Sequence, residues 1–291
     1  MFNRIQRLLL QNGIELSAPI ALSDCVISRP YLLDRFGIGR NGTAILFAIP
    51  YHTPSCELPE RNCSRYAVGQ DYHRFVKELS EAILPTLENE YPSLRFAVFA
   101  DHSPIDERNA AARAGLGVLG KNGLLITEKY SSYVFLAELI TNSPPPPTVL
   151  AASTPPLCEN CGACVAACPM RQGKTAECLS ALTQKKGDLT PEEQAQITAL
   201  GSVWGCDICQ EVCPHTQKAL RNGTISSPIS FFHAAPLPHL TYERILGMTD
   251  EAFSARAYAW RGRQVILRNL SATEQMNETT TSKRKEKEHL G

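Results

Sequence analysis

Seven cysteines fall in two runs, Cys158-x2-Cys161-x2-Cys164-x3-Cys168-Pro169 and Cys206-x2-Cys209-x3-Cys213-Pro214. In a run spaced like the first, three thiolates hold one [4Fe–4S] cubane, and the fourth, before proline, reaches to a second. Two cubanes, each with four cysteine ligands, need one thiolate more than the runs supply. Cys178, between the runs, is the candidate. The spacing assigns Cys158, Cys161, Cys164 and Cys213 to the first cluster, and Cys168, Cys178, Cys206 and Cys209 to the second. Two adjacent clusters form a short electron wire, so the rest of the chain should hold what that wire feeds.

Zinc sites also use C-x2-C pairs, but a four-cysteine run ending C-x3-C-P is not a usual zinc pattern. Disulfides need an oxidising compartment. The N-terminal MFNRIQRLLLQNGIEL lacks the unbroken apolar stretch of a signal peptide, and no apolar run is long enough to span a bilayer. The expectation is a soluble, reduced, cytoplasmic protein. Cys25, Cys56 and Cys63 read as ordinary thiols.

The 291 residues suffice for two modest domains. Lys plus Arg and Asp plus Glu number 29 each, so formal net charge is zero. No global basic field draws the chain onto nucleic acid, which leaves a local patch open.

Several elements must position the chemistry. Residues 4–12 read as a short helix, and 43–51, TAILFAIPY, as a buried strand. Phe75, Leu79, Ile83 and Leu87 recur every four residues in a helix over 71–91. RFAVFA, 95–100, reads as a second buried strand. Ser103-Pro104-Ile105-Asp106 then suggests a capped helix start, and Gly115 its stop. Residues 123–127 and 133–140 look like paired strands around EKYSS. Alternating strands and helices followed by a hairpin indicate an α/β domain. The proline-rich 141–156 reads as a connector. The expected domains are 1–145, the cluster module 146–225, short helices over 226–270, and a disordered polar tail 271–291.

Gly115-x4-Gly120-Lys121 nearly matches a phosphate-binding loop, but Asn122 stands where that loop needs Ser or Thr. The glycines also follow a helix rather than a strand. They serve either a tight turn needing positive φ or a backbone approach to a bulky cofactor. Asp101 closes RFAVFA. It is either a turn cap or an acid whose pKa a large cofactor raises by desolvation. His73 lies near a helix start and is a surface residue or a ligand contact.

The ordered set YAVGQDYH, DHSPIDERNAAARAGLGVLGKNGLLI, SSYVFLAELITN, CENCGACVAACP, CLSALT, WGCDICQEVCP and RGRQVILRNL resembles the epoxyqueuosine reductases over roughly residues 40–270. The resemblance is to a short form, without the C-terminal helical-repeat segment of full-length relatives. It implies an α+β or α/β fold: a corrinoid-binding, nitroreductase-like domain fused to a double-cluster, ferredoxin-like domain. It implies base-off cobalamin beside the first cluster and reduction of epoxyqueuosine to queuosine at the tRNA wobble position. Asp101 matches the family's proton-donating aspartate. Tyr66, His73, Gly115, Gly117, Gly120, Lys121 and Asn122 are the expected cofactor contacts. The expected partners are the tRNA anticodon stem-loop and an electron donor such as flavodoxin or ferredoxin, with the protein a monomer. Val118 and Met170 depart from the family's aromatic after AGLG and its CPT.

Two other readings stand beside this one. A corrinoid reductase might be set to a small molecule or a corrinoid protein in the absence of the repeat segment. The cluster runs alone fit an electron carrier with no substrate.

Overall fold

The computed structural model describes residues 1–146, 158–172 and 178–273. Most of the expected proline-rich connector, 147–157, and of the tail, 274–291, lies outside the described residues. The chain divides into two compact units, each drawn from separate segments: 1–52, 72–167 and 209–232 in the first; 53–71, 168–208 and 233–291 in the second. Neither unit follows the linear spans 1–145, 146–225 and 226–270.

The first unit is built on a four-stranded sheet of β1 (Leu16–Ala21), β2 (Thr43–Pro50), β3 (Phe96–Phe99) and β6 (Val134–Thr141). Its order is β1-β2-β6-β3, and every pairing is antiparallel. A separate hairpin pairs β4 (Val118–Leu119) with β5 (Leu125–Ile126). Helices α1 (Phe2–Gln11), α2 (Pro30–Arg35), α3 (Tyr72–Glu90), α4 (Glu107–Arg113) and α5 (Ala163–Ala166) complete the elements used below.

β2 is buried at every position, as its uninterrupted apolar sequence requires of a strand covered on both faces. Side chains alternate along a strand, so Ala44 and Leu46 point one way, into a core with Leu32, Leu33, Ala110 and Ala111 of α2 and α4. The opposite face carries Ile45, Phe47 and Ile49, all within 1% of full burial. α3 runs against β3 and buries the expected Phe75, Leu79, Ile83 and Leu87.

Two expected elements differ. The helix after β3 begins at Glu107, not at Ser103-Pro104, because Asp106 is the N-cap and accepts the Asn109 amide at 3.2 Å. Ser103 is committed elsewhere: its Oγ accepts the Ile105 amide and donates to Glu138. The strands expected to pair around EKYSS do not form one ladder. β5 pairs with β4, β6 joins the main sheet, and a lone bridge, Thr127 to Ser131, spans the turn. The alternation of elements is thus real, but the sheet is antiparallel.

The second unit has a core around Trp204 and Tyr258, whose rings meet edge-on at 6.1 Å, with Cys56 and Cys63 buried beside them. Burial pushes the Cys63 thiol up to about 12 and raises that of Cys56, consistent with structural thiols. The final helix is described from 263 through 273, three residues into the span expected to be disordered. It carries Asn269, fully buried, whose amide donates to the carbonyls of Thr183 (2.7 Å) and Val203 (2.9 Å). Thr183 in turn accepts the Gly205 amide at 2.9 Å. The RNL motif is therefore a staple that fixes the segments flanking Cys178 and Cys206.

Replacing Asn269 with Ala strands two buried carbonyls. The expected loss is about 1–3 kcal/mol of stability in anaerobic denaturant unfolding, with retained iron falling alongside.

Candidate active site

Two hollows, both within the first unit, carry the residues capable of chemistry. The first is ringed by Cys158, Cys161, Cys164 and Cys213, together with Lys121, Asn122 and Ile126. It brings the four cysteines assigned to the first cluster around one space. Asn160 and Gly162, with φ of 54° and 78°, turn the backbone between the first three thiols. Gly162 then N-caps α5. The cysteines assigned to the second cluster divide: Cys168, Cys178 and Cys206 lie in the second unit, and Cys209 in the first. Cys168 and Cys206 pack on a small core of Met170, Leu179, Leu182 and Ile197. Met170, the departure from CPT, is thus a core residue. Cys206 is pushed up to about 11 by burial first, with Cys178 and Cys168 close enough to add to it.

The second hollow is a cavity of about 520 Å³ lined by Tyr72, Asp101, Glu107, Arg108, Leu125 and Phe135 among others. Its walls are strand side chains from β5 and β6 and the turn after β3. That turn is clamped: the Ser28 and Arg29 amides donate to the Pro104 carbonyl, and the Arg29 guanidinium to that of Ser103. Asp101 sits in it with φ of 58°, a left-handed conformation that Asp tolerates better than most residues. Its amide donates to Glu107 Oε1 at 3.1 Å.

His73 Nε2 lies 3.3 Å from Asp101 Oδ2. Tyr72, just before it, stacks on Phe135 of β6 with centroids 4.0 Å apart, which fixes the start of α3. His73 therefore has a definite partner, and that partner is the expected acid. The protein's own groups shift the Asp101 carboxyl down, not up. The His73 contact, then the Tyr72 hydroxyl, hold the carboxyl below its usual range, and burial opposes them without winning. The side chain is 71% exposed, so solvation helps keep it charged.

The acids with raised pKa are two that sequence reading passed over. Glu138 is fully buried in β6, directly opposite Phe99 of β3. Burial and the neighbouring Glu107 raise its pKa well above the ordinary carboxyl value. Burial first, and then Asp101, push Glu107 up to about 7, although the hydrogen bond from Glu138 opposes the shift. The available signal was a glutamate inside the otherwise apolar strand VFLAELIT.

The remaining expected contacts separate. Lys121 and Asn122 border the cysteine-ringed hollow. Gly115 has φ of 85° and ends α4. Gly117 has no space for a Cβ, which would stand 2.3 Å from the Ile126 carbonyl oxygen, and one at Gly120 would meet Asn122 Oδ1 at 2.6 Å. These two glycines serve the β4–β5 hairpin itself. Tyr66 belongs to the second unit, where its hydroxyl accepts from Gln184.

A family model described as "Epoxyqueuosine reductase QueG, DUF1730" matches residues 40–102, and one described as "4Fe-4S double cluster binding domain" matches 157–216. An epoxyqueuosine reductase of Lactococcus garvieae is 32% identical over 252 residues, covering 78% of this chain and 67% of that protein. The chain belongs to the epoxyqueuosine reductase family. An epoxyqueuosine reductase of Synechocystis is 35% identical over 188 residues, covering 60% of this chain and 63% of that protein. The chain thus spans about two thirds of the length of these relatives. A solved epoxyqueuosine reductase bound to an epoxyqueuosine-modified tRNA stem loop aligns at TM-score 0.72 and 25% identity, covering 94% of this chain and 81% of that one. Family membership makes the chain an oxidoreductase with two [4Fe–4S] clusters. Among the described residues, no helix is long and apolar enough to cross a membrane.

Two outcomes follow. From about pH 5 up to about 7 the folded state holds a proton on Glu107 that the unfolded chain has released, and Glu138 holds its own beyond that, so stability falls as pH rises. In Glu138→Gln that slope is shallower, as read from unfolding midpoints across this range. Cys178→Ala, reconstituted anaerobically, retains about half the iron of the parent if Cys178 ligates the second cluster.

Proposed function

We propose that this chain reduces the epoxide of epoxyqueuosine in tRNA to the alkene of queuosine, releasing the epoxide oxygen as water. One observation carries the reading: β5 borders both hollows. Leu125 lines the acid-lined cavity and Ile126, the next residue, lines the space ringed by cysteines. The hollow that would hold the first cluster and the cavity that holds the acids thus share β5 as a border. The first cluster takes Cys158, Cys161, Cys164 and Cys213, and the second Cys168, Cys178, Cys206 and Cys209, an assignment that rests on their spacing.

Cobalamin suits the cavity. Val134, Phe135, Leu136 and Leu125 give its lining an apolar part against which a macrocycle can pack, while the guanidinium groups of Arg29 and Arg108 line it with donors for peripheral amides. When bound, it supplies the two-electron reduction that iron–sulfur clusters, passing electrons singly, need a partner to deliver. The protein holds the acids. Asp101 and His73 share one proton across their 3.3 Å contact, and this pair is placed to protonate the epoxide oxygen. The substrate is the anticodon stem-loop, bound by a protein of zero formal net charge through local contacts. Thiolate-held clusters call for a reducing compartment, which assigns the protein to the cytoplasm. It acts as a monomer with an external donor such as flavodoxin or ferredoxin.

The test is anaerobic. Protein with reconstituted clusters and added cobalamin is incubated with a reductant and epoxyqueuosine-containing stem-loop, and the nucleosides are separated. Queuosine is the expected product. Asp101→Ala should lower its formation by about 10²-fold or more, within the range for a lost general acid, with iron content unchanged. Reduction of the free nucleoside but not the stem-loop would favour a small-molecule substrate. No reduction of either, with both clusters present, would leave an electron carrier.

A further inference from the structure

The reaction consumes two electrons and two protons. Both C–O bonds of the epoxide break, the C=C bond forms, and the oxygen leaves as water. The electrons come from the one-electron reductant through the clusters. One proton is accounted for by Asp101 and His73, whose charges pair with each other. The second needs a source in the same cavity.

We propose that Glu107 is this second acid, handing over the proton that completes the leaving water, and that Glu138 behind it is the positioning residue that keeps Glu107 supplied. The inference rests on epoxide reduction as the reaction. Glu107 lines the same cavity as Asp101 and is bound to it, Oε1 accepting the Asp101 amide. Glu138 is wholly buried: Oε1 accepts from the Ser103 hydroxyl, and Oε2 has no donor from any hydroxyl or amide among the described residues. The Glu107 carboxyl lies within hydrogen-bond reach of it, so the two must share a proton to coexist. The charged groups around Glu107 are Glu138 from β6, Asp101 from the turn and His73 from α3, with Arg29, Asp106 and Arg108 on the same cavity wall. The carboxylates outweigh the imidazole and, with burial, leave Glu107 with a proton available near neutral pH, where an acid works best. Asp101, held in the opposite direction, is poorly supplied for a second donation.

Glu107→Gln keeps an oxygen for the Asp101 amide and loses the proton. In the reconstituted enzyme the wild-type kcat should fall as pH rises through about 7. Glu107→Gln should be about 10²-fold slower at pH 6.5, a general acid's usual contribution, without that fall and with KM little changed. An infrared titration of the same cluster-loaded protein gives a readout independent of turnover. The wild type should lose one protonated carboxyl band near pH 7 and keep another to higher pH. Glu107→Gln should lack the first band and Glu138→Gln the second. A Glu107→Gln enzyme with the wild-type rate and pH profile overturns the proposal, as does a wild type with no carboxyl titrating near neutrality. Failure of the wild type to convert substrate overturns the reaction itself and with it the donor role. That failure is visible before any variant is compared.

Discussion

A carboxyl group in the middle of an apolar strand governs the cavity. Glu138 cannot stay charged where β6 puts it, so it needs a proton, a hydroxyl and a neighbour able to share. Ser103 provides the hydroxyl, which removes it from the helix start that its sequence suggests and moves the first turn of α4 to Glu107. Glu107 then reaches both Glu138 and the amide of Asp101, and the left-handed turn at Asp101 aims that side chain at His73. Desolvation at one position thereby bears on the protonation of both glutamates and on the path of the chain between them.

The hairpin that borders both hollows depends on an equally local fact. Gly117 lacks a side chain where the Ile126 carbonyl comes within 2.3 Å of a would-be Cβ, so β4 and β5 can close into a hairpin. Arg108 of α4 donates to the Gly123 carbonyl and ties the hairpin tip to the helix that carries Glu107. Asp101, Glu107 and the hairpin beside the first hollow are thus tied together within consecutive segments from 96 to 126, with Glu138 added from β6. Preorganisation of this kind is what proton donation at a defined atom needs.

Much of this was legible in the residues. The cysteine runs state their chemistry through spacing, because cubane ligation fixes how many residues separate the thiolates. β2, α3 and β3 follow from apolar periodicity, which long buried elements cannot hide. The pairing of strands was not legible: EKYSS looks like a hairpin turn, but whether β6 joins β5 or the main sheet is decided by burial on both its faces. The charge states of the acids were not legible for a related reason. Asp101 was singled out by its place at a strand end, yet its charge state is set by His73, 28 positions earlier in the chain. Glu107 and Glu138 gain their character only from being brought together.

The interleaving of the two units bears on how the protein is made. The first unit takes its last segment from 209–232, and the hollow around Cys158, Cys161 and Cys164 is completed by Cys213. Synthesis from the N-terminus therefore produces three thiols long before their fourth partner has left the ribosome. A domain that folds as a unit cannot finish until its last strand of chain arrives. With the cluster ligands proposed above, iron insertion follows the emergence of Cys213, and the earlier thiols must be kept reduced until then.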